Sequence, residues 1–257
     1  LLAFTTVLLQ ILSNLANDYG DFKNGADNEN RIGPARAVQS GAISPRQMKV
    51  AIWIFGALSF FVGLFLLVYL GYHKGWGLAG LFLIFGVTSI YAAITYTGGD
   101  HPYGYRGLGD LSVLLFFGLL GVLGSAFFVA LNFNWTWILP AVAIGLLSVS
   151  VLNLNNLRDV ENDAKTGKKT LVVRMGYQGG KYYHTLLMLV AWTLMITALF
   201  LSYHHWSNFL ILGILPLHLW HLKTVHAQQT PKLLDPELKK IAISTFILSL
   251  ILLITPL

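Results

Sequence analysis

The chain has 257 residues, of which 55% are hydrophobic and 11% charged, with a formal net charge of +6 and no cysteine. The apolar residues come in long blocks rather than in the alternating pattern of a water-soluble core, which makes this a polytopic membrane protein. Disulfide and thiol chemistry are excluded, ~10-residue alternating segments that would signal a β-barrel are missing, and no basic arm or soluble domain is there to hold nucleic acid.

Eight apolar spans are predicted, at residues 1–16, 51–70, 78–97, 111–131, 137–154, 184–203, 208–222 and 241–257. Most come near the ~20 residues an α-helix needs to cross the hydrocarbon core, so the expected fold is an all-α transmembrane helix bundle. The chain starts at Leu1 without an initiator methionine, so upstream residues are expected to be missing. The first span does not read as a signal peptide, since it has neither a basic leading region nor a small-residue cleavage site. The odd-numbered connections carry 16 of the 17 Lys and Arg residues, and the second, fourth and sixth carry only Lys74. By the positive-inside rule the odd connections face the cytoplasm. All 11 acidic residues fall on that same face. The basic excess there also suits anionic lipid headgroups.

Span one runs directly into "NDYGDFKNGAD" (17–27), and the first cluster of acids is Asp18, Asp21, Asp27 and Glu29. If the span continues as a helix, Asn14, Asn17, Asp18 and Asp21 recur at three- and four-residue intervals and share one face. The following "NRIGPARAVQSG" (30–41) supplies Arg31 and Arg36. After span three, the loop "YTGGDHPYGYRGLGD" (96–110) holds Arg106 among five glycines, whose backbone can approach a ligand closely or simply turn tightly. Tyr91 and Tyr96 near that end are candidates to touch a cation or an acceptor. Span five leads into the second cluster, Asp159, Glu161 and Asp163. There Asn155, Asp159 and Asp163 share a helical face, with Asn156 beside them. "KTGKKT" (165–170) then adds Lys165, Lys168 and Lys169.

Such stripes of amides and carboxylates are costly beside a bilayer unless something cationic binds them. One cluster alone reads as a solvated helix end, salt-bridged to Lys23 or Arg158. Two clusters of the same design, four spans apart, read as oxygen ligands for a hard cation, Mg²⁺ before Ca²⁺. Mg²⁺ commonly completes its octahedron with water and substrate phosphate, and arginine and lysine suit a diphosphate. Span one and span five each begin a set of four helices, so two four-helix halves are expected, each with an Asp-rich motif.

The remaining polar signals read as structural. His218 and His221 lie one turn apart, with His226 beyond, but no acid shares their span. His204, His205 and Trp206 sit at the external boundary, and the seven tryptophans mostly flank spans as an aromatic belt. Pro140 and Pro216 read as tolerated kinks within spans.

"NDYGDFKNGAD" with "RIGPARAVQSGAIS", and "NNLRDVENDAKTGKKTL" (155–171), resemble the two aspartate-rich motifs of the UbiA superfamily of intramembrane prenyltransferases. With "YTGGDHPYGYRGLGD", the set is most similar to the 1,4-dihydroxy-2-naphthoate polyprenyltransferases of menaquinone biosynthesis, and the likeness covers nearly the whole chain. The resemblance implies one membrane domain over 1–257 with nine helices, the first of them before Leu1, and an active site on the cytoplasmic side of the inner membrane. Its substrates would be a polyprenyl diphosphate and an aromatic acceptor, with Mg²⁺ as cofactor and loss of the acceptor's carboxylate as CO₂. Asn17, Asp18, Asp21, Asp27, Asp159 and Asp163 would be the metal ligands, with Asp21, Asp159 and Asp163 catalytic. Asn17, Arg36, Arg106, Asn155, Lys168 and Lys169 would bind the diphosphate. One departure is Gly25, which stands where many members carry the last Asp of the first motif; Asp27 follows six residues after Asp21. Gly118, Gly121 and Gly124 would line the groove for the prenyl tail, or else let helices pack closely. Two alternatives stay open: another acceptor ring, such as 4-hydroxybenzoate or homogentisate, and a cation-coupled transporter. A transporter's acids belong near mid-span, whereas these cluster at cytoplasmic ends.

Overall fold

The computed structural model describes residues 1–28, 33, 35–202 and 206–255. Glu29, Arg31, His204 and His205 lie outside the described residues. The long elements are helices: α1 (Leu2–Lys23), α2 (Pro45–Lys74), α3 (Trp76–Thr95), α4 (Gly109–Val113), α5 (Ser125–Ala130), α6 (Ile138–Lys165), α7 (Leu171–Leu201), α8 (Leu215–Ala227) and α9 (Asp235–Ile254). A π-helical stretch, Leu114–Gly124, joins α4 to α5, and a 3₁₀ segment, Trp206–Ile214, leads into α8. No strand occurs among the described residues.

Six helical stretches are long and apolar enough to cross a membrane: Pro45–Lys74, Trp76–Thr95, Gly109–Ala130, Trp135–Lys165, Leu171–Leu201 and Trp206–Ala227. The helices predicted at the two chain ends, α1 and α9, fall outside that set. The second half of α1 is the polar stripe itself, and α9 opens with Asp235, Glu237, Lys239 and Lys240. The apolar surfaces agree with a lipid setting. On α2, Trp53, Phe61 and Phe65 are all well exposed, in a chain whose buried set includes five aspartates at its two motifs.

The chain divides into two compact units. The first comprises Leu1–Gly109, Phe128–Leu131 and Lys165–Lys168, and the second Asp110–Phe127, Asn132–Ala164 and Lys169–Leu257. In the first unit α1, α2 and α3 pack together around Leu12, Ala16, Val38, Met48 and Ile52. Helix α2 starts where its sequence dictates: Ser44 caps it, Gln47 closes the reciprocal capping box, and Pro45 takes the first turn, where no N–H is needed. Gly20 lets α1 lie directly against Thr97, whose hydroxyl donates to Ala16 O at 3.2 Å and whose carbonyl accepts from Asn24 Nδ2 at 2.8 Å.

In the second unit the core is built from Leu147, Leu154, Leu157, Met188, Trp192, Met195, Ile241 and Leu248. The π-helical stretch belongs here rather than with the first three helices, so the expected four-plus-four division becomes three long helices in the first unit. The reason is close packing. A Cβ on Gly118 would lie 2.8 Å from Gly145 Cα and 2.9 Å from Ala141 O, so Gly118 brings this stretch directly against α6. Both prolines predicted as kinks instead fall in first turns, Pro140 in α6 and Pro216 in α8, where their missing N–H groups have no intrahelical role. Helix α7 begins 13 residues earlier than the predicted span, from Leu171 with Thr170 as its cap, and is broken only at Gly176 (φ 73°).

Polar contacts tie α7, α8 and α9 together. His184 Nε2 meets His221 Nε2 at 3.0 Å, His221 Nδ1 meets Glu237 Oε2 at 2.8 Å, and Glu237 also pairs with Lys240. Trp192 Nε1 donates to His218 Nδ1 at 3.0 Å, and His218 Nε2 contacts Ser244 Oγ at 2.8 Å. Lys181, almost fully buried, donates to the His226 and Gln228 carbonyls at the C-terminal end of α8. The structural reading of the histidines therefore stands on named partners, as hydrogen-bonded glue between helices.

Candidate active site

The first motif occupies the C-terminal turns of α1. Asp18 and Asp21 are 7% and 4% exposed, and Asp27, just beyond the helix, is 7% exposed. Helical spacing puts Asn17 and Asp21 one turn apart. Asn17 Oδ1 is buried with no hydrogen-bond partner, which is an unfavourable state for an acceptor unless a ligand uses it. Asp21 Oδ1 accepts from the Tyr105 hydroxyl at 2.8 Å, and Lys168 Nζ lies 3.7 Å from the same oxygen and 5.2 Å from the centre of the Tyr105 ring. Tyr105 belongs to the glycine-rich loop, on a 3₁₀ turn over Tyr103–Arg106. The loop thus reaches the motif through a tyrosine that sequence reading passed over, while its neighbour Arg106 is solvent-exposed.

Asp18 does something different. Its Oδ2 accepts from the backbone N–H of Ala37 at 3.0 Å and its Oδ1 from that of Val38 at 3.4 Å. This fits an anchor for the loop bearing Arg36 better than a cation ligand. Arg36 Nε lies 3.9 Å from Asp27 Oδ2, so the loop also faces the last acid of the motif. Asn14 is exposed and accepts only a long bond from Gln10.

The second motif lies on the last turns of α6, where Asn156, Asp159, Asn162 and Asp163 are buried and Asn155 half-buried. Arg158 holds Asp159 from both sides, Nε to Oδ1 at 2.9 Å and Nη2 to Oδ2 at 2.7 Å. Its Nη2 also donates to Asn155 Oδ1 at 2.8 Å and its Nη1 to Asp235 Oδ1 at 2.8 Å. Glu161, Lys165 and Lys169 are exposed, and Lys168 is buried. Asn153, one turn before Asn156 and fully buried, has no partner for either side-chain polar atom. Tyr91 faces outward from α3, and Tyr96 stacks edge-on with Tyr103.

Among the described residues no three His, Cys, Asp or Glu side chains converge as a ready-made metal cage. Each motif instead offers an amide and carboxylates in one stripe. An all-oxygen donor set with the orphaned Asn17 Oδ1 fits a hard divalent cation that keeps positions for water and phosphate.

Buried acids lie at the ends of α1 and α6, with Lys168 against Asp21 and Arg158 against Asp159. A family model described as the UbiA prenyltransferase family matches residues 1–253, and the chain belongs to that family. It is 44% identical over 249 residues to the 1,4-dihydroxy-2-naphthoate octaprenyltransferase of Haemophilus influenzae, covering 96% of this chain and 80% of that protein. The protein of the same name from Escherichia coli K12 is 46% identical over 243 residues, covering 93% and 78%. A 2-carboxy-1,4-naphthoquinone phytyltransferase from Synechocystis is 32% identical over 130 residues, 50% of this chain and 42% of that one. No solved structure gave a significant match. The chain is therefore an integral membrane enzyme, an aromatic prenyltransferase, from a family whose members generally depend on a divalent metal. That membership decides against the transporter.

Proposed function

We propose that the protein transfers a polyprenyl group from polyprenyl diphosphate to 1,4-dihydroxy-2-naphthoate, with loss of CO₂, in menaquinone biosynthesis. The supporting observation is the pair of buried acid motifs, Asn17 with Asp21 and Asp159 with Asp163, in a chain aligned over most of its length with naphthoate octaprenyltransferases. Charge distribution supports a cytoplasmic-side site in the inner membrane, since nearly all Lys and Arg lie in the odd connections.

Asn17 and Asp21 of the first motif would hold Mg²⁺, with Asp27 as a further oxygen donor near Arg36, and Asp159 and Asp163 of the second motif would serve as metal ligands in the same way. When bound, the cation supplies charge stabilisation for the departing diphosphate. Lys168 stands beside Asp21, so an ammonium meets diphosphate oxygens where charge grows, with Arg36, Arg106, Lys169 and Asn155 as the other anion contacts. Tyr105 fixes the Asp21 carboxylate through its hydroxyl, and Asp18 holds the Arg36 loop in place. The prenyl C–O bond breaks, and its electron pair leaves with the diphosphate. The electron-rich naphthoate ring forms the new C–C bond to the allylic carbon from the ring carbon that bears the carboxylate. Loss of CO₂ returns the electron pair of the ring–carboxylate bond to the ring, so no protein base is required for that step. Lipid-facing spans keep water from the allylic centre and accept the apolar tail.

The test supplies purified protein in detergent with Mg²⁺, a labelled polyprenyl diphosphate and either 1,4-dihydroxy-2-naphthoate or 4-hydroxybenzoate. Prenylated naphthoquinol with stoichiometric CO₂ is expected. Turnover of the benzoate alone would overturn the acceptor assignment and keep the family.

A further inference from the structure

The arginine that grips the second motif serves two masters. Arg158 and Asp159 are buried, with side chains 4% and 8% exposed, whereas that of Asp235 is 35% exposed at the start of α9. One guanidinium therefore balances two carboxylates and uses its fork on Asp159, occupying both of that carboxylate's oxygens. Arginine does not give up its proton, so its charge is shared between the two acids. A cation approaching Asp159 meets a carboxylate already engaged. Releasing Asp159 would normally leave a buried guanidinium unpaired, which is strongly unfavourable. Asp235 removes that obstacle, since it already binds Nη1 and, being partly in water, can take the guanidinium's charge without being stranded itself.

We propose that Asp235 is a positioning residue: it competes with Asp159 for Arg158, and the strength of its hold sets how readily Asp159 is released to a divalent cation. The inference rests on the metal-binding role proposed above for Asp159. Neutralising Asp235 leaves Asp159 as the guanidinium's only carboxylate partner among the described residues and tightens the grip that a cation must loosen. Residue 235 lies 76 positions from Asp159 in sequence and outside both aspartate motifs, so no motif points to it.

The experiment measures Mn²⁺ binding to the full chain in detergent by electron paramagnetic resonance, with Mg²⁺ as displacing ion, for the parent, D235N, D235E, R158K and the double variant R158K/D235N. D235N is expected to weaken Mn²⁺ binding about tenfold, equivalent to ~1.4 kcal/mol. D235E, which keeps the carboxylate, stays within about twofold of the parent, and R158K, which lacks the bidentate fork, binds at least as tightly as the parent. In the R158K background the D235N step shrinks below about threefold, because the coupling runs through the guanidinium. D235S is a second neutral variant should D235N fold poorly. Equal losses from D235N in both backgrounds would reveal a plain charge effect and overturn the proposal. Unchanged Mn²⁺ affinity in D235N, or weaker binding by R158K, would overturn it while leaving the metal reading intact. A parent protein with no Mg²⁺-displaceable Mn²⁺ would instead overturn the metal reading beneath it.

Discussion

Gly20 sits between Asp18 and Asp21 of the first motif, and replacing it with alanine puts a methyl group where the structure has no room for one. The new Cβ would lie 2.4 Å from Thr97 Oγ1 and 2.6 Å from both the carbonyl carbon and oxygen of Thr97. Ordinary contact is ~3.5 Å, so the backbone at 97 has to retreat by about 1 Å. Thr97 is not free to do so cheaply, because it holds Ala16 O and Asn24 Nδ2. Overpacking costs about 1–3 kcal/mol, each hydrogen bond lost adds about 1 kcal/mol, and the better helix propensity of alanine returns up to ~1 kcal/mol. A net loss of about 2 kcal/mol is expected, together with reduced turnover as Asp21 is carried away from Tyr105. With no cysteine for thiol-reactive dyes and seven tryptophans, thermal unfolding in detergent is best followed by intrinsic fluorescence. Gly63→Ala in α2 is the control, since nothing lies within 4 Å of its would-be Cβ, and its melting temperature should match or exceed the parent's. Gly20→Ala melting together with Gly63→Ala would refute the reasoning.

Other perturbations separate the site from its scaffold. Tyr105→Phe removes the hydroxyl that donates to Asp21, and a drop of about tenfold in kcat/KM for the prenyl donor, with a stability loss of about 1–3 kcal/mol, is expected from a bond to a charged group. Gly118→Ala forces the π-helical stretch away from Gly145 and Ala141 and should lower stability by about 1–3 kcal/mol in the same fluorescence assay. Glu237→Ala leaves His221 Nδ1 without its acceptor and should cost about 1–2 kcal/mol of thermal stability while Mn²⁺ affinity is retained.

The sequence made the acid motifs readable because they are local: Asn17 and Asp21, or Asp159 and Asp163, share a helical face by spacing alone, and Asp21, Asp159 and Asp163 are buried where their helices end. The start of α2 is set just as locally, by Ser44, Pro45 and Gln47 within one turn, although the apolar span in the sequence begins only at residue 51. Partners distant in the chain were not legible. No periodicity links Arg158 to Asp235 or His221 to Glu237, so the histidines' acid, which comes from α9, could not be found by searching α8. The start of α7 was obscured by Arg174, Gly176, Gly179, Gly180 and Lys181, which read as a polar connection. Lys181 is nevertheless buried, because the carbonyls ending α8 take up its ammonium. Tyr105 lies among glycines in a loop without periodicity, and only the folded loop brings its hydroxyl to Asp21.

Both acid motifs are proposed to serve one prenyl transfer. Single-turnover formation of prenylated naphthoquinol by the parent, Asp21→Ala and Asp159→Ala, each with Mg²⁺ and again after chelation, tests this. Product from the parent with Mg²⁺ alone, lost by at least about 10²-fold in each variant while both retain the parent's melting behaviour, is the predicted result. Undiminished product from either variant, or from the chelated parent, would contradict it.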